Sequence, residues 1–212
     1  MDHSATTGLL KRAGEGDRSA VGALLEGQRP RLERMLALRL DGRLGGRIDA
    51  ADVIQDAFLE ASRRMPEYFR DPSMPFYLWL RFIVTQRLQA VYRENLGAQR
   101  RDLRREVSID QGYSGVATSQ ALAAQLLGTF STPSQTVMRA ELRQRLRETL
   151  DAMEPIDREV IALRHFEQLG NVEVAQLLGI DTSTASKRYI RAIRRLRELL
   201  SQIPGMDEYP WT

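Results

Sequence analysis

The sequence predicts an all-α fold made of two small helical domains joined by a flexible linker. Three observations lead there. Apolar residues recur at spacings of three and four, while alternation of β-branched and polar residues persists nowhere. The stretch VSIDQGYSGVATSQALAAQLLGTFSTPSQ, from residue 107, is rich in Ser, Thr, Gly, Gln and Ala and carries one charge, Asp110, which is linker chemistry. The length of 212 residues suits one large or two small domains, each able to bury a core.

The elements follow in chain order. From Thr7 to Leu40 two helices are expected. In GDRSAVGALLEGQRPRLERMLALRL, Asp17 is placed as an N-cap, and Ala20, Leu24, Leu32, Leu36 and Leu40 lie along an apolar stripe. Pro30 should kink this segment, because proline lacks an N–H and clashes with the preceding turn. DGRLGGR is a glycine-rich loop. DAADVIQDAFLEASRRMPEYF is the next helix, capped by Asp49 and closing near Pro66. RDPSMP, residues 70–75, is a loop with two prolines, and FYLWLRFIVTQRLQAVYRENLGAQRRDLRRE is a long helix with a basic tail. Within the linker, 117–127 has the Ala/Leu content of a short helix. The second block, 136–203, reads as four helices. Leu142, Leu146 and Leu150 mark the first. PIDREVIALRHFEQ starts with Pro155 near its first position and turns Val160, Leu163 and Phe166 inward. NVEVAQLLG is short, and Gly179 can end it in a left-handed cap. Asp181 or Thr182 can cap the last helix. The expected organisation is a first domain over 5–105, a linker over 106–135, a second domain over 136–203 and a tail over 204–212.

Composition excludes several function classes. Charged residues are 28% and hydrophobic ones 42%, as in ordinary soluble proteins, and a net charge of +3 makes any basic character local. The absence of cysteine excludes a disulfide scaffold, a cysteine-ligated zinc site and a thiol nucleophile, and it fits a reducing cytoplasm. The two histidines, His3 and His165, are too far apart in sequence to suggest a metal site. The sequence carries no glycine-rich phosphate loop and no nucleophile–base pairing. It is read as a non-enzyme without a metal or cofactor. The first residues lack the long apolar core of a signal peptide, and no apolar run is long enough for a membrane span, so a cytoplasmic location is expected.

The chemistry concentrates in VEVAQLLGIDTSTASKRYIRAIRRL, residues 172–196. A small residue, Ala175, lets a following helix cross closely, and Gly179 permits the turn, which is the helix-turn-helix arrangement. On the last helix, Ala185, Tyr189, Ala192 and Leu196 fall on one side and face the core. Ser183, Lys187, Ile190 and Arg194 fall on the opposite side, flanked by Ser186 and Arg191. Lys187, Arg188, Arg191, Arg194, Arg195 and Arg197 stand against one acid, Glu198. A phosphate backbone suits such a surface. The small hydroxyl residues at its start, Thr182, Ser183 and Thr184, can approach base edges in a major groove.

In the first block, Asp52, Gln55 and Asp56 sit at i, i+3 and i+4 and share one helix face, while Ile54, Ala57, Phe58, Ala61 and Met65 form the opposite, core-facing stripe. That leaves a polar face for a partner, although Asp52 near a helix N-terminus also simply suits the helix dipole.

Taken together, these segments resemble a family of bacterial RNA polymerase sigma factors, the small two-domain extracytoplasmic-function (ECF) type. LDAMEPIDREVIALRHFEQLGNVEVAQLLGIDTSTASKRYIRAIRRLREL looks like sigma region 4. ADVIQDAFLEASRRM looks like region 2.2, and FYLWLRFIVTQRLQAVYRENL like regions 2.3 and 2.4. The resemblance implies that Asp52, Gln55 and Asp56 bind the β′ clamp helices of core polymerase. It implies that region 4 meets the β flap, and that the last helix reads −35 duplex through Thr182, Ser183, Thr184, Ser186, Lys187, Arg188, Ile190, Arg191 and Arg194. The loop and helix 70–93 occupy the −10 position. There the resemblance assigns Asp71, Ser73, Met74, Tyr77, Arg81, Gln86 and Arg93 to the melted strand, with Asp71, Ser73 and Met74 as the better base-pocket candidates. Phe69, Phe76, Tyr77 and Trp79 are expected to be mostly core. Gln86, Ala90 and Thr184-Ala185 depart from the usual pattern, so no base preference carries over. The partners implied are core RNA polymerase and promoter DNA, with an anti-sigma factor as a further candidate. A stand-alone regulator of the LuxR type ends in a similar four-helix domain and is the alternative; the helical first block argues against it.

Overall fold

The computed structural model describes residues 3–40, 48–102, 117–128 and 136–201. Within them the structure is all-helical, with no strand. Ten helices follow one another: α1 His3–Gly14, α2 Arg18–Glu26, α3 Arg29–Arg39, α4 Ala50–Arg70, α5 Phe76–Asp102, α6 Ser119–Gly128, α7 Thr136–Asp151, α8 Pro155–Ile161, α9 Asn171–Leu178 and α10 Thr182–Leu200. They divide into two compact units. Among the described residues the first holds 3–36 and 48–102, and the second 37–40, 117–128 and 136–201.

The region from Thr7 to Leu40, most of it in the first unit, forms three helices rather than two. The expected kink at Pro30 is a full break: α2 ends before Gly27, and α3 restarts with Pro30 in its first turn, where a missing N–H costs nothing. Asp17 caps α2 by accepting from the N–H groups of Ser19 and Ala20. Asp49 caps α4 through the N–H of Ala51. Helix α4 does not close at Pro66 but continues to Arg70. An internal proline costs on the order of 3 kcal/mol. The apolar stripe on either side of it offsets that cost: Met65 before it and Tyr68 after it are buried, and the Tyr68 ring packs against Phe76 and Trp79 with centroids 5.6 and 4.9 Å away. The Tyr68 hydroxyl also donates to the Met74 carbonyl at 3.2 Å, which pins the loop before α5.

The second unit is built around Leu122, Leu126, Leu146, Leu150, Ile161, Ala192, Leu196 and Leu200, with Leu142 and Phe166 packed against them. Two of its parts depart from the sequence reading. Residues 117–128, expected within the linker, join this core: Ala117, Leu122, Ala123, Leu126 and Leu127 are buried there. The rest of the expected linker, and the tail, lie outside the described residues. The last turn of α3 also belongs to this unit. Leu38 is in its core and Arg39 is fully buried. Arg39 Nη1 donates to Glu167 Oε1 at 2.5 Å, Nη2 donates to Glu159 Oε1, and the second Glu159 oxygen accepts from the Ala117 N–H at 2.7 Å.

Pro155 opens α8 as expected, but the helix widens into a π turn over Ala162–Phe166 and closes through Gln168 at φ 57°. His165 sits half-buried on that turn, and burial holds its imidazole below the ordinary value of 6.5. The unfolded chain therefore takes up the proton more readily than the folded one. This contribution is intact above pH 6.5 and is lost as pH falls below it. Urea unfolding across that range should show His165→Gln losing less stability on acidification than wild type; equal losses would contradict the assignment.

Candidate nucleic-acid interface and partner face

Helices α9 and α10 form the turn that the sequence anticipates. Gly170 precedes α9, and its N–H donates to Glu173 Oε2 at 2.8 Å. Val174 and Ala175 are buried, and the small Ala175 admits the crossing helix. Gly179 ends α9 at φ 63°, a left-handed conformation that costs an L side chain about 1–2 kcal/mol. Its N–H and that of Ile180 return to the Ala175 carbonyl, closing the C-terminal cap. Asn171 Nδ2 donates to the Thr182 carbonyl at 2.7 Å and ties the start of α9 to the start of α10.

Asp181, not Thr182, caps α10. Its carboxylate accepts from the Thr184 N–H at 2.8 Å, the Ser183 hydroxyl at 2.7 Å and the Thr184 hydroxyl. The Thr184 and Ser183 hydroxyls, with the Thr184 N–H, hold the Asp181 carboxyl far below the usual carboxylate range. Helix α10 thus begins on a fixed charge, with two hydroxyl groups already oriented.

Along α10 the structure separates two faces. Ala185, Ala192, Leu196 and Leu200 are buried and Tyr189 is half-buried. Thr182, Ser183, Ser186, Lys187, Ile190, Arg191 and Arg194 are exposed, and Ile190 keeps 55% of its surface in solvent. Two cations are partly diverted. Arg188 is half-buried and donates to Asp157 of α8 at 3.1 Å, and Arg191 approaches the same carboxylate at 3.5 Å. Arg188 thereby ties α10 to α8, so the outward candidates are Lys187 and Arg194, with Arg191 shared.

In the first unit, Asp52, Gln55 and Asp56 are exposed on one face of α4, and Ile54, Ala57, Phe58, Ala61 and Met65 are buried on the other. Asp56 is engaged by Arg87 of α5, whose Nη2 and Nε lie 2.7 and 2.9 Å from Oδ2. One turn further along the same face, Leu59 is 53% exposed. Between α4 and α5 lies a cleft of about 470 Å³, lined by Asp56, Leu59, Arg63, Ile83, Gln86 and Arg87.

The residues assigned to melted DNA divide. Asp71 and Ser73 are exposed on the loop, Met74 is half-buried, and Gln86 and Arg93 are exposed on α5. Tyr77 and Arg81 are corrected: both are buried. The Tyr77 ring packs under the Arg31 guanidinium, 3.6 Å from its centroid, and so belongs to the interior rather than to a binding surface. Phe76 is likewise buried, and Phe69 and Trp79 are half-buried in the cluster around Tyr68. The exposed aromatic on α5 is Phe82, at 52%, which reading the sequence for aromatic clusters missed. A helical wheel centred on Leu80, Val84 and Leu88 would have found it on the far side.

A short helix, a left-handed turn and a capped basic helix with one exposed face make the helix-turn-helix arrangement that DNA-binding proteins use. Comparison with known proteins narrows that class. The model of sigma-70 region 2 matches residues 28–95 and that of sigma-70 region 4 matches 143–196, together more than half of the chain. The chain is 25% identical over 190 residues to the ECF RNA polymerase sigma factor SigD of Mycobacterium tuberculosis, covering 90% of this chain and 81% of that one. It is 26% identical over 199 residues to the RNA polymerase sigma factor NccH of Alcaligenes xylosoxydans xylosoxydans, covering 94% and 96%, and 25% identical over 184 residues to the ECF sigma-E factor of Escherichia coli K12, covering 87% and 88%. Its fold is similar to that of CnrH, solved in complex with the cytosolic domain of CnrY, with a TM-score of 0.54 at 22% identity, over 94% of this chain and 99% of that one. The chain belongs to the sigma-70 family, as a sigma factor of the ECF type, a family of regulatory DNA-binding proteins that act in transcription initiation. No described helix is long and apolar enough to cross a membrane, and no described cluster of His, Asp and Glu could hold a metal ion.

Proposed function

We propose that this protein binds core RNA polymerase in the cytoplasm and directs initiation at promoters, reading −35 duplex with α10 and the melted −10 strand with the first unit. The observation that carries this reading is the division of α10 into a buried Ala185/Ala192/Leu196 face and an exposed Ser183/Lys187/Ile190/Arg194 face. A helix lying in a major groove needs one side free along its whole length, with cations reaching phosphates on either side of the groove. Asp52, Gln55 and Asp56 are the residues we assign to the β′ clamp helices, and the second unit is assigned to the β flap. An anti-sigma factor is the further partner expected. The protein makes and breaks no bond; the polymerase supplies the chemistry.

The test is transcription from a cognate promoter that core polymerase alone ignores. Added protein should produce RNA with a defined start, and no gain over core would overturn the reading. Within it, Lys187→Ala should weaken −35 duplex binding and lower the slope of log K against log salt by about one, because one phosphate contact is lost. Arg188→Ala should change the slope less, since that guanidinium is held by Asp157. Equal slopes for Lys187→Ala and wild type would remove Lys187 from the interface.

A further inference from the structure

We infer that Asp157 of α8 is an intramolecular stand-in for a DNA phosphate, and that it limits how strongly α10 grips duplex by competing for Arg191; this rests on the functional reading above and names a residue that tunes it. Positions 188 and 191 lie one turn apart on α10, on the flank of its exposed face that meets α8. One carboxylate oxygen of Asp157, Oδ1, serves both: Arg188 Nη1 donates to it at 3.1 Å, and Arg191 Nη2 lies 3.5 Å away. Glu154 adds a second acid, 3.8 Å from Arg188. Lys187 and Arg194, further round the same helix, form no ion pair among the described residues. The competition is thus confined to one edge of the face.

The acid and its two partners differ in freedom to move. Asp157 is buried in the first turn of α8. The next residue, Arg158, donates through Nη1 to the carbonyls of Leu150 and Met153 at 2.9 Å each, which locks that turn against the end of α7. The carboxylate therefore cannot follow a departing partner. The Arg188 side chain is 27% exposed and stays on it, whereas that of Arg191 is 61% exposed and can turn outward. A phosphate offers Arg191 two oxygens in bidentate geometry, which its 3.5 Å contact with a single oxygen lacks. Docking in a groove transfers Arg191 from Asp157 to phosphate, while Arg188 remains to neutralise the acid. Asp157 thus lowers affinity by the worth of the pair that must be broken. It does so on any sequence, because phosphate contacts carry no base information. The acid restrains sequence-independent binding by a helix rich in arginine.

The experiment measures holoenzyme on a duplex promoter recovered by sequencing the DNA it binds, across a sodium chloride series. Asp157→Asn removes the charge and keeps an oxygen for Arg188. It should tighten binding about 3- to 5-fold at low salt, which is what freeing a part-exposed cation from its pair is worth. The gain should fade as salt rises, because the pair that opposes binding is itself screened. Asp157→Glu, which keeps the charge, should bind as wild type. Arg191→Ala should cost about 3- to 5-fold more affinity in Asp157→Asn than in wild type, since the gain acts through that guanidinium. A merely structural tie between α8 and α10 predicts the opposite sign: Asp157→Asn would loosen α10, exchange its amides faster and bind more weakly. The inference is overturned if Asp157→Asn binds no tighter than wild type, folded or not, if Asp157→Glu tightens binding equally, or if Arg191→Ala costs the same in both backgrounds. Failure of wild type itself to initiate transcription would remove the functional reading and this inference together. Normal initiation by wild type with no gain from Asp157→Asn removes the inference alone.

Discussion

Replacing Arg39 by alanine is expected to destabilise the second unit by about 3–5 kcal/mol, the usual cost of stripping one partner from a buried ion pair. Its guanidinium is wholly removed from solvent and bonds the carboxylates of Glu159 and Glu167, which are 7% and 0% exposed. Without the cation, two carboxylates remain close together in the interior, with little water to screen them. The large effect is thus the penalty of the orphaned acids rather than the net worth of the triad. That distinction is measurable. Arg39→Leu combined with Glu159→Gln and Glu167→Gln removes all three charges, keeps an acceptor for the Ala117 N–H, and should recover much of the loss. Hydrogen exchange on α8, α9 and α10 in graded urea reads the stability of this unit directly. If Arg39→Ala exchanges within about 0.5 kcal/mol of wild type, a margin typical of surface substitutions, the triad does not hold the unit together.

The second large effect is on assembly. Asp56→Lys should weaken binding to core polymerase by ~30-fold or more, corresponding to the 2–5 kcal/mol cost of disrupting a close interfacial charge pair. Folding should be nearly unaffected, because the ion pair with Arg87 is solvent-exposed and such pairs contribute at most about 1 kcal/mol. Asp56 could instead matter only for holding α5 through Arg87. Arg87→Ala separates the two roles: it deletes the intramolecular pair and leaves the acid on its face. We expect Arg87→Ala to retain core binding while Asp56→Lys loses it, with both variants still binding −35 duplex. Matching losses in the two variants would assign Asp56 to the α4–α5 contact and remove it from the polymerase face.

Much of the fold was legible from residue order. The all-α class followed from apolar periodicity. Asp17, Asp49 and Asp181 as caps, and Gly179 as a left-handed terminator, are local effects, and each residue carries its own reason. The two faces of α10 follow from helical geometry alone, as does the inward stripe of α4. Errors arose where distant packing outweighed a local rule. Pro66 should end a helix, yet Tyr68 beyond it finds Phe76 and Trp79 across the unit, and the helix continues. Residues 117–128 have the composition of a linker, yet Leu122 and Leu126 meet Leu146 and Leu150 in one core. Tyr77 and Arg81 have the chemistry of DNA contacts, but their positions on α5 turn them inward.

What the sequence determined by itself, then, is whatever depends on neighbours within a turn or two: helix type, caps, the chiral turn at Gly179 and the amphipathic faces. It also carried the resemblance that identified the family. What only the tertiary structure decided is how charges pair over long separations. Arg39 at the end of α3 reads as an ordinary cation suited to a helix C-terminus, and Glu159 and Glu167 flank the inward Leu163 at four residues on either side without revealing a partner. Arg188 reads as one more phosphate contact until Asp157 is found beside it. A local pattern fixes which side of a helix a charge occupies. Which opposite charge meets it depends on the packing of whole helices, and in the low-dielectric interior that meeting determines whether the charge stabilises the fold or remains free to bind a partner.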